Sequence, residues 1–407
     1  MTTEVDVFRR RLAAAGALVA AVALVLSGCA NQGGGQQQGG GPAAGAPSQP
    51  TDAALPAGNG QGRCAPGTSI GYAGTIAGQN AALGIAIVNA AQLAVDQHNQ
   101  ANPNCQVTLV RADTGGTPDT AVGPTTALIN NPAVLGIVGL PFSGESRAVG
   151  PALNAAGIVN ITPSATNPGL TQNGWTNFFR GLGNDAVQGP AVARYIQGRL
   201  NAQKVCVIKD DSDYGIGLAQ QVNQVLGPNV ASCQVDVKTN QREFSAVIGQ
   251  VQQQAPQAIF YSGYYQEAAP LVQQLRDAGV QTTFIGPDGV KDEQYVVNAA
   301  GAANGTLLSC PCVPQEGFTA FSSAYQQAFG SPPQTYSAES YDVTTILLRG
   351  LDSGIADRAG LLNFVRGYNG QGLTKRFQWG PTGELTNTPV WMYRVNGNQI
   401  VTDSQIG

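Results

Sequence analysis

The sequence predicts an α/β protein with two doubly wound parallel sheets, one in each of two lobes. Short, uninterrupted apolar runs alternate with segments of helical periodicity, the pattern of successive βαβ units. Strands that are apolar throughout are typical of parallel sheets covered on both faces. The chain has 407 residues, which is more than one hydrophobic core usually holds.

Residues 1–28 have the pattern of a bacterial lipoprotein signal peptide. Three arginines, Arg9–Arg11, precede an apolar run over residues 12–26. A helix of that length reaches roughly 22 Å, too short for a hydrocarbon core of about 30 Å. The next residues, Leu26-Ser27-Gly28-Cys29, resemble a lipobox, so we expect Cys29 to be lipidated. The alternatives are an ordinary signal peptide and a buried helix.

Residues 29–62 are expected to form a flexible Gly/Gln/Pro linker behind the lipid anchor. They contain almost no large apolar side chain that could offset the backbone entropy lost on folding. The globular part is therefore predicted to begin at residue 63, on a mobile tether.

Charge and histidine content exclude several classes of function. Only 11% of residues are charged, and the formal net charge is -4, without a basic patch of the kind that binds nucleic acid. The single histidine, His98, is predicted to be a solvated residue at the end of the first helix. An enzyme would need a nucleophile with a base, and Ser143 has no recognisable partner for that role. We therefore predict neither catalysis, nor a cofactor, nor a metal site.

Six cysteines follow Cys29, as expected for an exported domain with disulfides. Cys64 and Cys105 flank two consecutive strands, as do Cys206 and Cys233, and a βαβ unit places such strands side by side. These are the two predicted pairs. Cys310 and Cys312 are left over, either bonded to each other or free.

Apolar runs and helical spacing place the elements of the globular part in order. Thr117 followed by Pro118 predicts the start of a helix. Further helices are indicated by the spacing of residues 83–94 and 268–275, by a helix after the strand at 205–208 that runs through residue 226, and by a helix from residue 243 onward. Strands are predicted at residues 70–73, 107–110, 134–138, 158–161, 205–208, 233–237, 258–261, 283–285 and 306–309.

Turns rich in Gly, Ser and Thr follow several strands, at residues 139–144, 162–166, 262–265 and 286–289. Ligands of open parallel sheets bind beyond the carboxyl ends of the strands, so these turns are the candidate site. Ser143 lies between a strand and a helix, where free N–H groups favour an anion. Ser164 and Thr166 on the next turn could complete that cradle. The simpler alternative is that Ser143 only caps the helix.

Seven motifs in one order carry a family resemblance. They are residues 162–168, 188–190, 213–219, 244–246, 261–265, 286–289 and 379–385. Together they resemble the type I periplasmic binding proteins, specifically the Leu/Ile/Val-binding branch. The resemblance covers nearly all of residues 66–400. It implies two lobes joined by three hinge crossings, with Cys310 and Cys312 near the hinge. It also implies delivery of a ligand to the permease and ATPase subunits of an ABC importer.

The resemblance also assigns roles to residues. It gives carboxylate binding to Ser143, Ser164 and Thr166. It places Asp288 against the ligand's α-ammonium, where the family usually has Glu; the alternative is an Asp that only stabilises its own turn.

Tyr214 and Tyr264 match positions of the second lobe that close over the ligand. Asp185 matches a position close to the cleft, with a hinge or helix-cap role as the alternative. Leu83 stands where the family often has an aromatic residue. Phe142 stands where several members have a disulfide cysteine, so the pocket wall differs from theirs.

The predicted lobes are residues 63–184 with 313–372, and residues 185–312 with 373–407. The predicted function is an extracytoplasmic lipoprotein on the outer face of the cytoplasmic membrane. Its ligand would be a branched-chain or other uncharged amino acid. The alternatives are a ligand-sensing receptor component on the same fold, and a binder of a small amide or aromatic acid.

Overall fold

The structure is a computed structural model that describes residues 60–407. The signal peptide, Cys29 and nearly all of the linker lie outside the described residues. The strands are β1 (Ser69–Gly74), β2 (Thr108–Asp113), β3 (Val134–Gly139), β4 (Val159–Thr162), β5 (Phe178–Arg180), β6 (Val205–Lys209), β7 (Cys233–Asp236), β8 (Ala258–Ser262), β9 (Thr283–Gly286), β10 (Leu307–Cys310), β11 (Asn369–Gln371), β12 (Arg376–Gln378), β13 (Trp391–Asn396) and β14 (Gln399–Gln405).

The α-helices are α1 (Ala81–Ala101), α2 (Pro118–Asn130), α3 (Ser143–Ala155), α4 (Asp185–Gly198), α5 (Asp213–Val230), α6 (Ser245–Gln254), α7 (Tyr265–Asp277), α8 (Glu293–Asn298), α9 (Thr319–Phe329), α10 (Ser337–Asp352) and α11 (Arg358–Arg366). Thr117 caps α2 as predicted, with its side chain accepting from the Thr120 amide and Pro118 in the first turn. Within residues 60–407, no helix combines the length and apolarity needed to cross a bilayer.

Lobe 1 is built on a five-stranded parallel sheet with the order β2-β1-β3-β4-β5. Every residue of β1, β3 and β4 is buried, as the continuous apolar runs predicted. Helix α10 packs against α1, and α11 packs against β3 and β4. The part of the chain after residue 318 therefore returns to lobe 1. The strand order of this parallel sheet places the carboxyl ends of β1, β3 and β4 next to one another.

Lobe 2 is built on a seven-stranded sheet with the order β14-β13-β10-β9-β8-β6-β7. Strands β6 to β10 run parallel, whereas β13 pairs antiparallel with β10, and β14 antiparallel with β13. The antiparallel strands β13 and β14 were not predicted. The two-stranded sheet of β11 and β12 is also additional to the prediction.

Three chain segments connect the lobes and meet at one glycine. They are residues 181–184, the segment after Cys310, and the segment before β13. A Cβ atom on Gly183 would lie 2.7 Å from Thr388 Oγ1 and 3.3 Å from Pro311 Cβ, so the three segments are in close contact. Only glycine leaves room for this approach.

The third crossing lies later in the chain than the expected boundary at 372/373. Trp379 Nε1 donates to the Arg180 carbonyl at 2.7 Å, and Arg180 pairs with Glu384 at 3.0 Å. Arg180 ends β5 of lobe 1, so residues 379–384 pack on lobe 1. We therefore place the crossing after Leu385.

All six cysteines of the globular part are in disulfides. Cys64 is bonded to Cys105 and Cys206 to Cys233, the two predicted pairs. Cys206 and Cys233 are register partners on the adjacent parallel strands β6 and β7. Cys310 and Cys312, for which two states were open, are bonded to each other.

The prediction for His98 was wrong. Its side chain is fully buried between α1 and α10, and its Nε2 lies 2.7 Å from Asp352 Oδ1. Its Nδ1 lies 3.1 Å from Asn99 Oδ1. Helix periodicity placed His98 at the end of α1 but could not show that α10, some 250 positions later, covers it.

Candidate functional site

The candidate site lies where the carboxyl ends of the two parallel sheets face each other. One cavity is lined by six of the predicted residues, Leu83, Ser143, Ser164, Tyr214, Tyr264 and Asp288, together with Pro141, Phe142 and Tyr336. Lobe 1 provides the turns after β3 and β4, and lobe 2 provides those after β6, β8 and β9. The cavity is therefore lined by residues of both lobes.

Asp288 is the most densely hydrogen-bonded group of the site. Tyr214 donates to its Oδ1 at 2.6 Å, Gln188 Nε2 donates to the same oxygen at 2.8 Å, and Tyr336 donates to Oδ2 at 2.6 Å. Burial raises the pKa of the Asp288 carboxyl, and these hydrogen bonds oppose that rise. Tyr336 belongs to lobe 1 and Asp288 to lobe 2, so their hydrogen bond also joins the lobes.

Aromatic rings form the wall beside Asp288. Tyr264 lies edge-on to Phe142 with ring centroids 5.0 Å apart, and its ring is 5.1 Å from that of Tyr214. Phe142 comes from lobe 1, and both tyrosines come from lobe 2. This wall offers apolar surface to a ligand side chain and can also favour a nearby cation.

The hydroxyl groups of lobe 1 face this wall. Ser143 is the first residue of α3, and its Oγ accepts from the Asn167 amide at 3.2 Å. Ser164 Oγ donates to the Pro141 carbonyl at 3.0 Å. Because a helix N-terminus leaves amide groups unpaired, this corner of the site favours a carboxylate.

Thr166 and Asp185 are buried beside the cavity but do not line it. The Asp185 amide donates to the Thr166 carbonyl at 2.9 Å. Burial, followed by repulsion from Asp288, raises the pKa of Asp185 from its ordinary 3.8 to about 8. Asp185 is the first residue of α4, at the end of the first crossing.

The lobes also meet at the rim of the cavity. Arg147 of α3 pairs with Asp213 of α5 at 2.9 Å, and Asn167 Nδ2 donates to the Asp213 carbonyl at 2.6 Å. The cavity itself has a volume of about 10 Å³, roughly what one water molecule requires. The lobes are therefore closed, and a ligand of amino-acid size can enter only if they separate.

Sequence reasoning missed Tyr336 and Gln188. Tyr336 precedes α10 and has a φ of 69°, a backbone conformation that no sequence pattern indicated. Gln188 lies within one of the quoted motifs, but its side chain was not assigned a role. Both reach Asp288 from elements that are distant in the chain.

The family model "Periplasmic binding protein" matches residues 67–399 of the chain. The chain belongs to this family. It is a family of binding proteins rather than of enzymes, in agreement with the absence of a predicted nucleophile and base. The cavity described above lies between the two lobes of this chain.

Named relatives cover most of the chain. An amino acid binding protein of Pseudomonas aeruginosa is 28% identical over 326 residues, which are 78% of this chain and 87% of the relative. The leucine-, isoleucine-, valine-, threonine- and alanine-binding protein of the same organism is 26% identical over 332 residues, 80% of this chain and 88% of the relative.

A solved structure of the same fold is the branched-chain amino acid transporter substrate binding protein LivJ from Streptococcus pneumoniae, in complex with isoleucine. The TM-score is 0.77 at 26% sequence identity, and the match covers 83% of this chain and 99% of LivJ. The fold prediction is therefore confirmed.

Proposed function

We propose that this periplasmic binding protein binds a small zwitterionic amino acid with an uncharged, aliphatic side chain. The observation that carries the proposal is Asp288, the only charged residue among the nine described residues that line the cavity. Its carboxyl group is held by phenolic and amide donors on one side of the site. On the other side lie neutral hydroxyl groups and the N-terminus of α3.

This arrangement complements both ends of an α-amino acid. The ammonium group would bind Asp288, since a buried carboxylate favours an opposite charge. The ligand carboxylate would bind at Ser143 and Ser164, where amide and hydroxyl donors stabilise it without an arginine. The aliphatic side chain would pack on Leu83 and the aromatic wall. The amino-acid ligands named for the relatives support this assignment.

We propose further that the protein works outside the cytoplasmic membrane, attached through Cys29. The positively charged and apolar leader and the lipobox-like sequence support this. Its partners would be the permease and ATPase subunits of an ABC importer, as with LivJ, which is named as a transporter component. Closed lobes would present the loaded protein to the permease.

Identification of the bound molecule tests the proposal. The protein is purified without denaturant, small molecules are released from it by acid, and the extract is analysed by mass spectrometry. Calorimetric titration of ligand-stripped protein with each of the twenty L-amino acids follows. We expect one or a few aliphatic amino acids to be released and to bind. Release of an amide or an aromatic acid, without heat from any amino acid, would contradict the proposal.

A further inference from the structure

We propose that the Cys310–Cys312 disulfide is a positioning element that holds Asp288 in place and restrains the hinge. This inference rests partly on the proposed function, because Asp288 is the group assigned to the ligand's ammonium. The disulfide itself lies outside the cavity. Its two cysteines are both fully buried.

The position of the disulfide puts it in the second crossing. Cys310 is the last residue of β10, an interior strand of the lobe 2 sheet. A Cβ atom on Gly183 of the first crossing would lie 3.3 Å from Pro311 Cβ, so the two crossings run close together here. One residue after Cys312, the Val313 amide donates to Glu339 Oε1 of α10 in lobe 1 at 2.8 Å. The small ring that the Cys310–Cys312 disulfide closes, called the ring below, therefore spans the point at which the chain leaves one lobe for the other.

The small size of the ring argues against a general stabilising role. The cysteines are separated by 2 positions in sequence, compared with 27 and 41 in the other two disulfides. The entropy that a disulfide removes from the unfolded chain grows with the logarithm of the loop length. A ring this small constrains the unfolded chain little, so its main effect is on local geometry.

A direct chain of hydrogen bonds links the ring to Asp288. Ser309 immediately precedes Cys310 in β10. Gln188 Nε2 lies 3.0 Å from Ser309 Oγ and 3.3 Å from its carbonyl oxygen. The same nitrogen donates to Asp288 Oδ1 at 2.8 Å. A shift of the Ser309 backbone would therefore move Gln188 and disturb the hydrogen bond to Asp288.

A second set of contacts leads from the other half of the ring to the same turn. Tyr393 donates to the Cys312 carbonyl at 3.0 Å. Lys291 Nζ lies 4.2 Å from the centroid of the Tyr393 ring and 3.3 Å from Thr335 Oγ1. Thr335 also donates to the Lys291 carbonyl. Lys291 follows Asp288 by three residues, and Thr335 immediately precedes Tyr336. These contacts therefore connect Cys312 to the segments that carry Asp288 and Tyr336.

The test compares removal of the ring with removal of a matched disulfide. The ring variant is Cys310→Ala with Cys312→Ala, and Cys310→Ala with Cys312→Val serves as a second variant that keeps more volume. The control is Cys206→Ala with Cys233→Ala, which opens a buried disulfide away from the hinge. The probe is L-leucine, with L-isoleucine and L-valine titrated in parallel, and the readouts are calorimetric affinity and hydrogen exchange.

We expect the ring variants to bind the amino acid about 10- to 100-fold more weakly, as for a lost hydrogen bond to a charged group. The control variant should bind as wild type does. In a Gln188→Leu background, removal of the ring should cause a smaller further loss of affinity, because only the contacts through Tyr393 and Lys291 then remain. Unchanged affinity, or the same loss with and without Gln188, would overturn the proposal.

Hydrogen exchange tests the positioning role of the ring without requiring the ligand to be known. Peptides covering residues 186–190 and 288–292 should exchange faster in the ring variants than in wild type, and no faster in the control. If wild type binds no amino acid, the proposed function fails, whereas faster exchange would still support the ring's positioning role. Unchanged exchange in both peptides would refute that role even if amino acids bind.

Discussion

At the scale of single residues, the two buried aspartates of the site differ in their hydrogen bonding. Asp288 accepts hydrogen bonds from Tyr214, Tyr336 and Gln188. Among the described residues, only the Thr166 side chain lies where its hydrogen bonding favours the charged form of Asp185. The donors around Asp288 therefore favour its charged form against the effect of burial, whereas the environment of Asp185 favours the neutral acid.

Replacement of Asp288 by Ala should weaken amino-acid binding much more than replacement of Asp185 by Ala. Removing one partner of a desolvated charge pair typically costs about 2–5 kcal/mol, which is roughly 30- to 5,000-fold in affinity. Asp185 does not line the cavity, so its loss should change the dissociation constant little. Calorimetry with the amino acid that binds wild type most tightly measures both. Equal losses in the two variants would contradict the ammonium assignment.

In the Asp185→Asn variant, the free energy of unfolding should fall less steeply with rising pH than it does in wild type. The pKa of Asp185 rises on folding from 3.8 to about 8. Between these values the folded protein holds one proton more than the unfolded chain, so the free energy of unfolding falls as pH rises, by at most about 1.4 kcal/mol per pH unit.

Thermal unfolding measured from pH 5 to pH 8.5 tests this expectation. Asp185→Asn should melt at a higher temperature than wild type at pH 8, with a smaller difference at pH 5. Some decline will remain, because burial also raises the pKa of Glu145 to about 7 and that of Asp210 to about 7. Parallel curves for the variant and wild type would show that Asp185 is charged in the folded protein.

At the scale of secondary-structure elements, the disulfides should stabilise the protein according to the loops they close. Opening Cys64–Cys105 or Cys206–Cys233 by paired Cys→Ala substitution should lower the free energy of unfolding by about 3–4 kcal/mol. Opening Cys310–Cys312 should lower it by only about 1.5 kcal/mol. Urea unfolding followed by tryptophan fluorescence measures all three. The largest loss in the Cys310–Cys312 variant would contradict the loop-length argument.

The sequence predicted nine of the ten described parallel strands, mostly from uninterrupted apolar runs, and missed the short strand β5. In β13, by contrast, buried and exposed side chains alternate at the end of the strand. Tyr393 and Val395 are buried, whereas Arg394 and Asn396 are exposed. The edge strand β14 has no buried residue. Neither strand has an apolar run long enough to have been recognised, and both were missed. The pairing of β13 with β10 across some 80 positions has no local signal.

The candidate site was predicted where turns follow buried strands and missed elsewhere. Ser143, Tyr214 and Asp288 lie in such turns, and the structure brings them to one cavity. Tyr336 comes from lobe 1 after the chain has crossed from lobe 2. Its position depends on the packing of α10 against α1, which periodicity does not reveal.

At the scale of the whole molecule, the lipid anchor should determine where the protein is found. Replacement of Cys29 by Ala removes the thiol that would carry the lipid, so the protein should move from the membrane fraction to the soluble fraction. Fractionation of cells and immunoblotting measure this. Replacement of Cys64, which is not in the lipobox-like sequence, serves as a control and should leave the protein with the membranes. Mature protein that stays membrane-bound without Cys29 would rule out this anchor.

We propose that the two lobes close over a ligand that is held by its ammonium group and its carboxylate. Calorimetry can compare the best-binding amino acid with its des-amino acid, which keeps the carboxylate and the side chain but has no ammonium group. We expect the des-amino acid to bind wild type at least about 30-fold more weakly. Most of this difference should disappear in Asp288→Ala. Equal affinity of the two compounds for wild type would show that the ammonium group is not recognised.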